Sequence, residues 1–316
     1  MSSIGIPNVT SSTMFYGNKT FGAYNSDDLV AYFRMKPISE VIAFLLLSIA
    51  VLGNSFTIGT ILLDKQSRKF CSAYLFNICL ADALFAIVNI AGETIFATWD
   101  MRMRLKHQCV EYSLIYLRFF TYTVSMLSLV ALSVERFAAV SSPVAWMKKK
   151  PKMRKIKEFT LAIVWIFGIL FPLPYAMCPK FSDALTIPLN IALFVLLHII
   201  PLCTIIVVTF KICQVLYSRV TEPAADQRRA QRDRLVALLV VMVITFFIFF
   251  APFHVLYVYM GFARNLPINS KYLIGSRIAL VATYVYPALT PIFYFAFCKN
   301  FRSGFSKVFW KCPSTQ

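Results

Sequence analysis

The chain has 316 residues, 59% of them apolar and only 15% charged, with a formal charge of +18. A water-soluble domain carries about a quarter charged residues to keep its surface wet, so a soluble globule of this size is excluded. The basic residues sit between long apolar runs rather than along one polar face, which excludes nucleic acid as the partner and points to loops facing anionic membrane lipids.

Residues 1–37 form a polar tail with two glycosylation sequons, at Asn8 and Asn18, which favours a lumenal or extracellular N-terminus. No positively charged start leads into an apolar core and a cleavage site, so the first apolar run is expected to serve as an uncleaved signal-anchor. Seven apolar segments follow at 38–63, 72–97, 109–136, 157–177, 186–216, 234–261 and 275–297. Each has the roughly 20 residues needed to cross the hydrocarbon layer. All are predicted helical, because a segment in lipid must satisfy its own backbone, and none alternates like a barrel strand. Residues 38–297 therefore form the membrane domain. Residues 298–316 are a short amphipathic helix and a cytoplasmic tail.

Orientation follows from Lys and Arg. With the N-terminus outside, the inner segments collect Lys65, Arg68 and Lys69, the run from Lys148 to Lys157, the run from Arg228 to Arg234, and Lys299, Arg302, Lys307 and Lys311. The positive-inside bias and the sequons agree. The expectation is an all-α membrane protein, a seven-transmembrane helix bundle with a short amphipathic eighth helix, crossing the plasma membrane several times. The eight cysteines have no zinc-binding spacing and His107, His198 and His254 are far apart, so no metal, cofactor or enzyme chemistry is expected.

Several residues in the spans call for a physical reason. Asp82 is an ionisable group in the second span and must line a polar cavity or be hydrogen-bonded for packing. Arg118 in the third span also needs a partner. Glu93, near the outer end of the second span, is one; an acidic group on a ligand is the other. Pro201, Pro252 and Pro291 each remove an intrahelical hydrogen bond and allow a kink. Arg102, Arg104, Lys106, Lys180, Arg264, Lys271 and Arg277 outnumber Asp27, Asp28, Glu93, Asp100, Glu111 and Asp183 at the outer mouth. That balance would steer a peptide with an acidic end, or another anion, towards it.

The motifs fall in a definite order. They are Gly53-Asn54, Leu80-Ala81-Asp82, Glu135-Arg136-Phe137 with Pro143, Trp165, Pro201, Phe246 with Pro252, and Thr290-Pro291-Ile292-Phe293-Tyr294. From about residue 40 to 310 this pattern resembles the rhodopsin-like G-protein-coupled receptors. The resemblance implies a receptor whose Glu135, Arg136, Phe137 and Pro143 meet a heterotrimeric G protein, with Glu135 holding Arg136 at rest. Tyr294, beside Pro291, would swing towards Arg136 on activation. Asn54, Asp82, Ser125 and Thr290 would form a polar switch, and Phe246 and Phe250 a toggle. Pro252 would be the hinge of the sixth span, with Pro201 opposite it. The ligand pocket would be lined by Glu93, Arg118, Phe250, His254, Arg277 and Tyr284. A Cys109–Cys178 disulfide and palmitoylation of Cys312 are implied as well.

Arg118 stands where the family's amine receptors carry a carboxylate, and the seventh span has no lysine for retinal. The implied ligand is a peptide or an anionic small molecule. Phe250, Thr209 and Thr290 replace the family's usual tryptophan, tyrosine and asparagine. A constitutively active or decoy receptor therefore stays open as an alternative. A transporter or channel would show internal repeats and discontinuous helices; no repeat is found.

Overall fold

The computed structural model describes residues 26–70, 72–99, 103, 106–141, 150–173, 188, 191–192, 194–218, 226–262 and 270–309. Its elements are α1 (Ser26–Leu63), α2 (Lys65–Phe70), α3 (Ala73–Thr98), α4 (Gln108–Ser141), α5 (Lys150–Leu170), α6 (Ile200–Ser218), α7 (Asp226–Phe262), α8 (Ser270–Thr283), α9 (Val285–Phe297) and α10 (Lys299–Phe309). A π-helical turn, Val195–Ile199, leads into α6. Among the described residues, six stretches are long and apolar enough to cross a membrane: α1, α3, α4, α6 with its π turn, α7, and α8 with α9. The remaining expected span begins in α5 and continues beyond the described residues.

Two boundaries differ from the sequence expectation. The first helix begins at Ser26 rather than near 38, since Leu29, Val30, Ala31, Tyr32 and Phe33 extend its apolar character; Pro37 lies inside it. The seventh span is broken at Tyr284 into α8 and α9. Pro287 has no N–H to give the Thr283 carbonyl four residues earlier. The chain responds with a tighter turn, in which the Tyr284 N–H donates to the Val281 carbonyl at 3.0 Å.

The helices α3 and α4 pack along each other at the centre, α1 lies against α3 and α9, and α5 and α6 flank α4, while α7 packs on α8 and α9. In α4 the apolar window is 61% buried, whereas in α1 and α6 it is 28% buried, so the outer helices turn most of their apolar surface towards lipid. Close approach relies on small residues: a Cβ at Gly53 would stand 2.6 Å from Pro291, and one at Gly168 would stand 2.6 Å from Val124. The amphipathic α10 buries Phe301 and sets Phe305 and Phe309 against Phe295 and Phe56, at 5.8 and 5.1 Å between ring centroids. In the turn before α2, Asp64 accepts from the Ser67 hydroxyl and N–H at 2.8 and 2.7 Å, and these bonds hold its carboxyl below the ordinary value.

Candidate functional site

The chemistry of the bundle is arranged in layers, beginning at the end where α1 starts. There, Glu93 on α3 is buried and receives both Nη atoms of Arg277 from α8, at 2.8 and 2.7 Å. The Tyr284 hydroxyl adds a third bond at 2.8 Å, and Arg277 Nε donates to Ser39 of α1 at 2.9 Å. Of the two partners left open for Arg118, Glu93 is not taken, because Arg277 holds both carboxylate oxygens. Arg118 stands beside Gly92, its Nη2 3.5 Å from where a Cβ would be, and its Nε is buried without a partner.

One helical turn further along α4 lies an aromatic layer. Tyr122 faces Phe250 and His254, both at 4.8 Å, and Phe246 at 5.4 Å. The expected toggle residues Phe246 and Phe250 stack at 4.6 Å. Phe85 and Tyr286 close the layer from α3 and α9, meeting Phe250 at 5.8 Å and Phe246 at 4.9 Å. His254 is buried, with His198 at 5.2 Å. The expected hinge Pro252 lies in the continuous helix α7.

Carbonyls near two prolines are claimed by neighbouring helices. In the π-helical turn before Pro201, the Leu197 carbonyl accepts from Tyr122 Oη at 3.2 Å. Pro291 has no N–H for the Pro287 carbonyl, which accepts from Asn54 Nδ2 at 2.9 Å. Beside it, Asp82 accepts from Ser125 at 2.8 Å and from Thr290 at 2.9 Å. Three members of the expected polar switch thus meet directly, and the fourth, Asn54, bonds backbone.

The opposite end carries Glu135 and Arg136. The Glu135 carboxylate is held by Lys157 of α5 and by Ser72, the residue capping α3; no ion pair joins it to Arg136. This corrects the expectation that Glu135 restrains its neighbour: successive helical residues do not face each other, and two donors from other helices converge on the carboxylate. Phe137 packs partly buried on the main core. Tyr294 is buried at 3% exposure. Nearby, burial pushes the Cys298 thiol up to about 11, against the pull of the Arg136 and Arg302 guanidiniums.

Tyr122, Tyr286, Phe85 and His198 were not picked out as site residues. Spacing could have found Tyr122, four residues beyond Arg118 and hence on the same face. Cys109 lies exposed at the start of α4, while Cys178, Pro143, Asn8, Asn18 and Cys312 fall outside the described residues.

The sequence pattern of the 7 transmembrane receptor (rhodopsin family) matches residues 53–294. The chain belongs to this family. Similar members include the neuromedin-K receptor of Cavia porcellus, 24% identical over 84% of this chain and 63% of that receptor. A galanin receptor 2a of Danio rerio is 22% identical, over 86% of this chain and 78% of its own length. A bombesin receptor of Bombina orientalis is 23% identical, over 93% and 81%. The chain thus spans less than two thirds of the length of the neuromedin-K receptors it matches.

Proposed function

We propose that this family member is a cell-surface receptor, with its N-terminus outside, that binds an extracellular peptide and activates a heterotrimeric G protein. The relatives whose names carry a peptide, neuromedin-K, galanin and bombesin, support the ligand class. The observation that carries the mechanism is the stack from Tyr122 through Phe250 and Phe246 to Tyr286, which joins the outer layer to α7 and α9. A ligand bearing on Tyr122 or His254 moves rings that α7 itself carries, and Pro252 lets that helix bend outward. Tyr294 leaves its buried place and turns towards Arg136, which meets the G protein. A ligand drives this change only by binding the open form better than the closed one.

A second reading, constitutive activity, is favoured by one contact. Glu135 is occupied by Lys157 and Ser72, so Arg136 is not held by it, and coupling without ligand follows. Nucleotide exchange on a purified heterotrimeric G protein, with the receptor in lipid nanodiscs and pooled synthetic peptides, tests both. Exchange that rises with peptide supports the first reading, and exchange without peptide supports the second. No exchange in either condition contradicts both.

A further inference from the structure

The chain has three histidines, and the fold buries two of them side by side. His198 stands in the π-helical turn before α6 and His254 on α7. Each is 3% exposed, and their ring centroids are 5.2 Å apart. Aromatic rings surround them: Phe194 and Phe247 meet His198 at 5.7 and 4.9 Å, and Phe119 and Phe253 meet His254 at 6.3 and 5.8 Å. A buried histidine ordinarily has hydrogen-bond partners for its nitrogens. His254 Nε2 has none among the described residues.

Tyr122 sets the tautomer of the other ring. Its hydroxyl carries one hydrogen and gives it to the Leu197 carbonyl at 3.2 Å, an oxygen that can only accept. The 3.5 Å contact between Tyr122 Oη and His198 Nδ1 is therefore made by an Nδ1–H, which leaves the lone pair of His198 on Nε2. Metal-bound histidines are oriented in this way, with the second nitrogen donating to a nearby oxygen. The ring separation fits as well. Metal–nitrogen bonds of about 2.0–2.1 Å put the centroids of two imidazoles on one tetrahedral ion about 5 Å apart. Imidazole suits zinc and copper, whereas magnesium and calcium need oxygen ligands. Among the described residues no third histidine, cysteine or carboxylate joins the pair. The remaining positions are then for hydroxide or another small anion, which also offsets the ion's charge in an apolar surround.

We infer that His198 and His254 bind a divalent transition-metal ion, zinc or copper, and that Tyr122 positions His198 for it. Such an ion ties α7 to the turn before α6.

The test uses the full chain in nanodiscs, purified without a histidine tag and stripped of metal with a chelator. Zn2+ is titrated in competition with a fluorescent zinc indicator, and Cu2+ is added separately for pulsed EPR. Wild type takes one ion from the indicator, and excess Mg2+ does not displace it. Tyr122→Phe, which frees His198 to turn, weakens binding about 10-fold, and His198→Gln and His254→Gln, which each remove a ligand, weaken it at least about 100-fold. His107→Gln, at the remaining histidine, leaves it unchanged. In wild type alone, bound Cu2+ shows coupling to two imidazoles, a result that depends on no variant folding. Zn2+ left on the indicator by wild type would show that His254 Nε2 meets only water, and overturns the inference. Equal uptake by wild type and the two glutamine variants, loss of binding with His107→Gln, or an EPR signal with fewer than two imidazoles overturns it too.

Discussion

The hydroxyl of Tyr122 donates to the Leu197 carbonyl at 3.2 Å, in the π-helical turn that precedes Pro201. A side chain of α4 thus ties down the backbone of the turn before α6, and the same ring faces Phe250 and Phe246 of α7.

Tyr122→Phe keeps the rings stacked and removes only the hydroxyl. Hydrogen bonds between membrane helices contribute about 0.6 kcal/mol on average and at most about 1.7 kcal/mol. Thermal melting of the purified protein should show a loss in that range. Tyr122→Ala, which also empties ring volume from the aromatic layer, should lose about 3–5 kcal/mol. Equal losses for the two substitutions would show that the ring packing contributes nothing.

At the outer end, Arg277→Leu takes from the buried Glu93 carboxylate the guanidinium that pairs with both of its oxygens. Breaking one side of such a pair costs about 3–5 kcal/mol, whereas replacing both partners with apolar residues is often close to neutral. The double variant Glu93→Leu with Arg277→Leu should therefore melt well above the single Arg277→Leu. A double variant less stable than the single one would contradict the assignment of this pair.

Positions along the chain were legible where a single helix decides them. The apolar runs located the spans, and the facing of Asp82 towards Ser125 and Thr290 follows from three residues at helix-interior positions. Phe246 and Phe250 lie four apart and stack as that spacing implies. What the sequence hid were relations between helices. Glu93 meets Arg277 of α8 rather than Arg118, a pairing between residues 184 positions apart. Lys157 reaches Glu135 across two helices, and no local pattern announces such a contact. His198 was visible only as a lone histidine; its place beside His254 depends on how α6 and α7 lie together.

The contact between Lys157 and Glu135 makes a further prediction. If Glu135 serves α5 and α3 rather than Arg136, then Glu135→Gln and Lys157→Ala break the same contact. At matched surface expression, their basal G-protein activation should agree within about twofold, because both substitutions break the same Lys157–Glu135 contact. A large rise with Glu135→Gln that Lys157→Ala does not share would show that Glu135 restrains Arg136 after all.

The central claim is that the chain couples to a G protein through Arg136. Its most direct test is G-protein activation in cells expressing the wild type or Arg136→Ala at equal surface density, with and without peptide fractions. The account predicts activation by the wild type and a substantial change in the variant, under the condition in which the wild type signals. Equal activation by both forms, or none from either while both reach the surface, would contradict it.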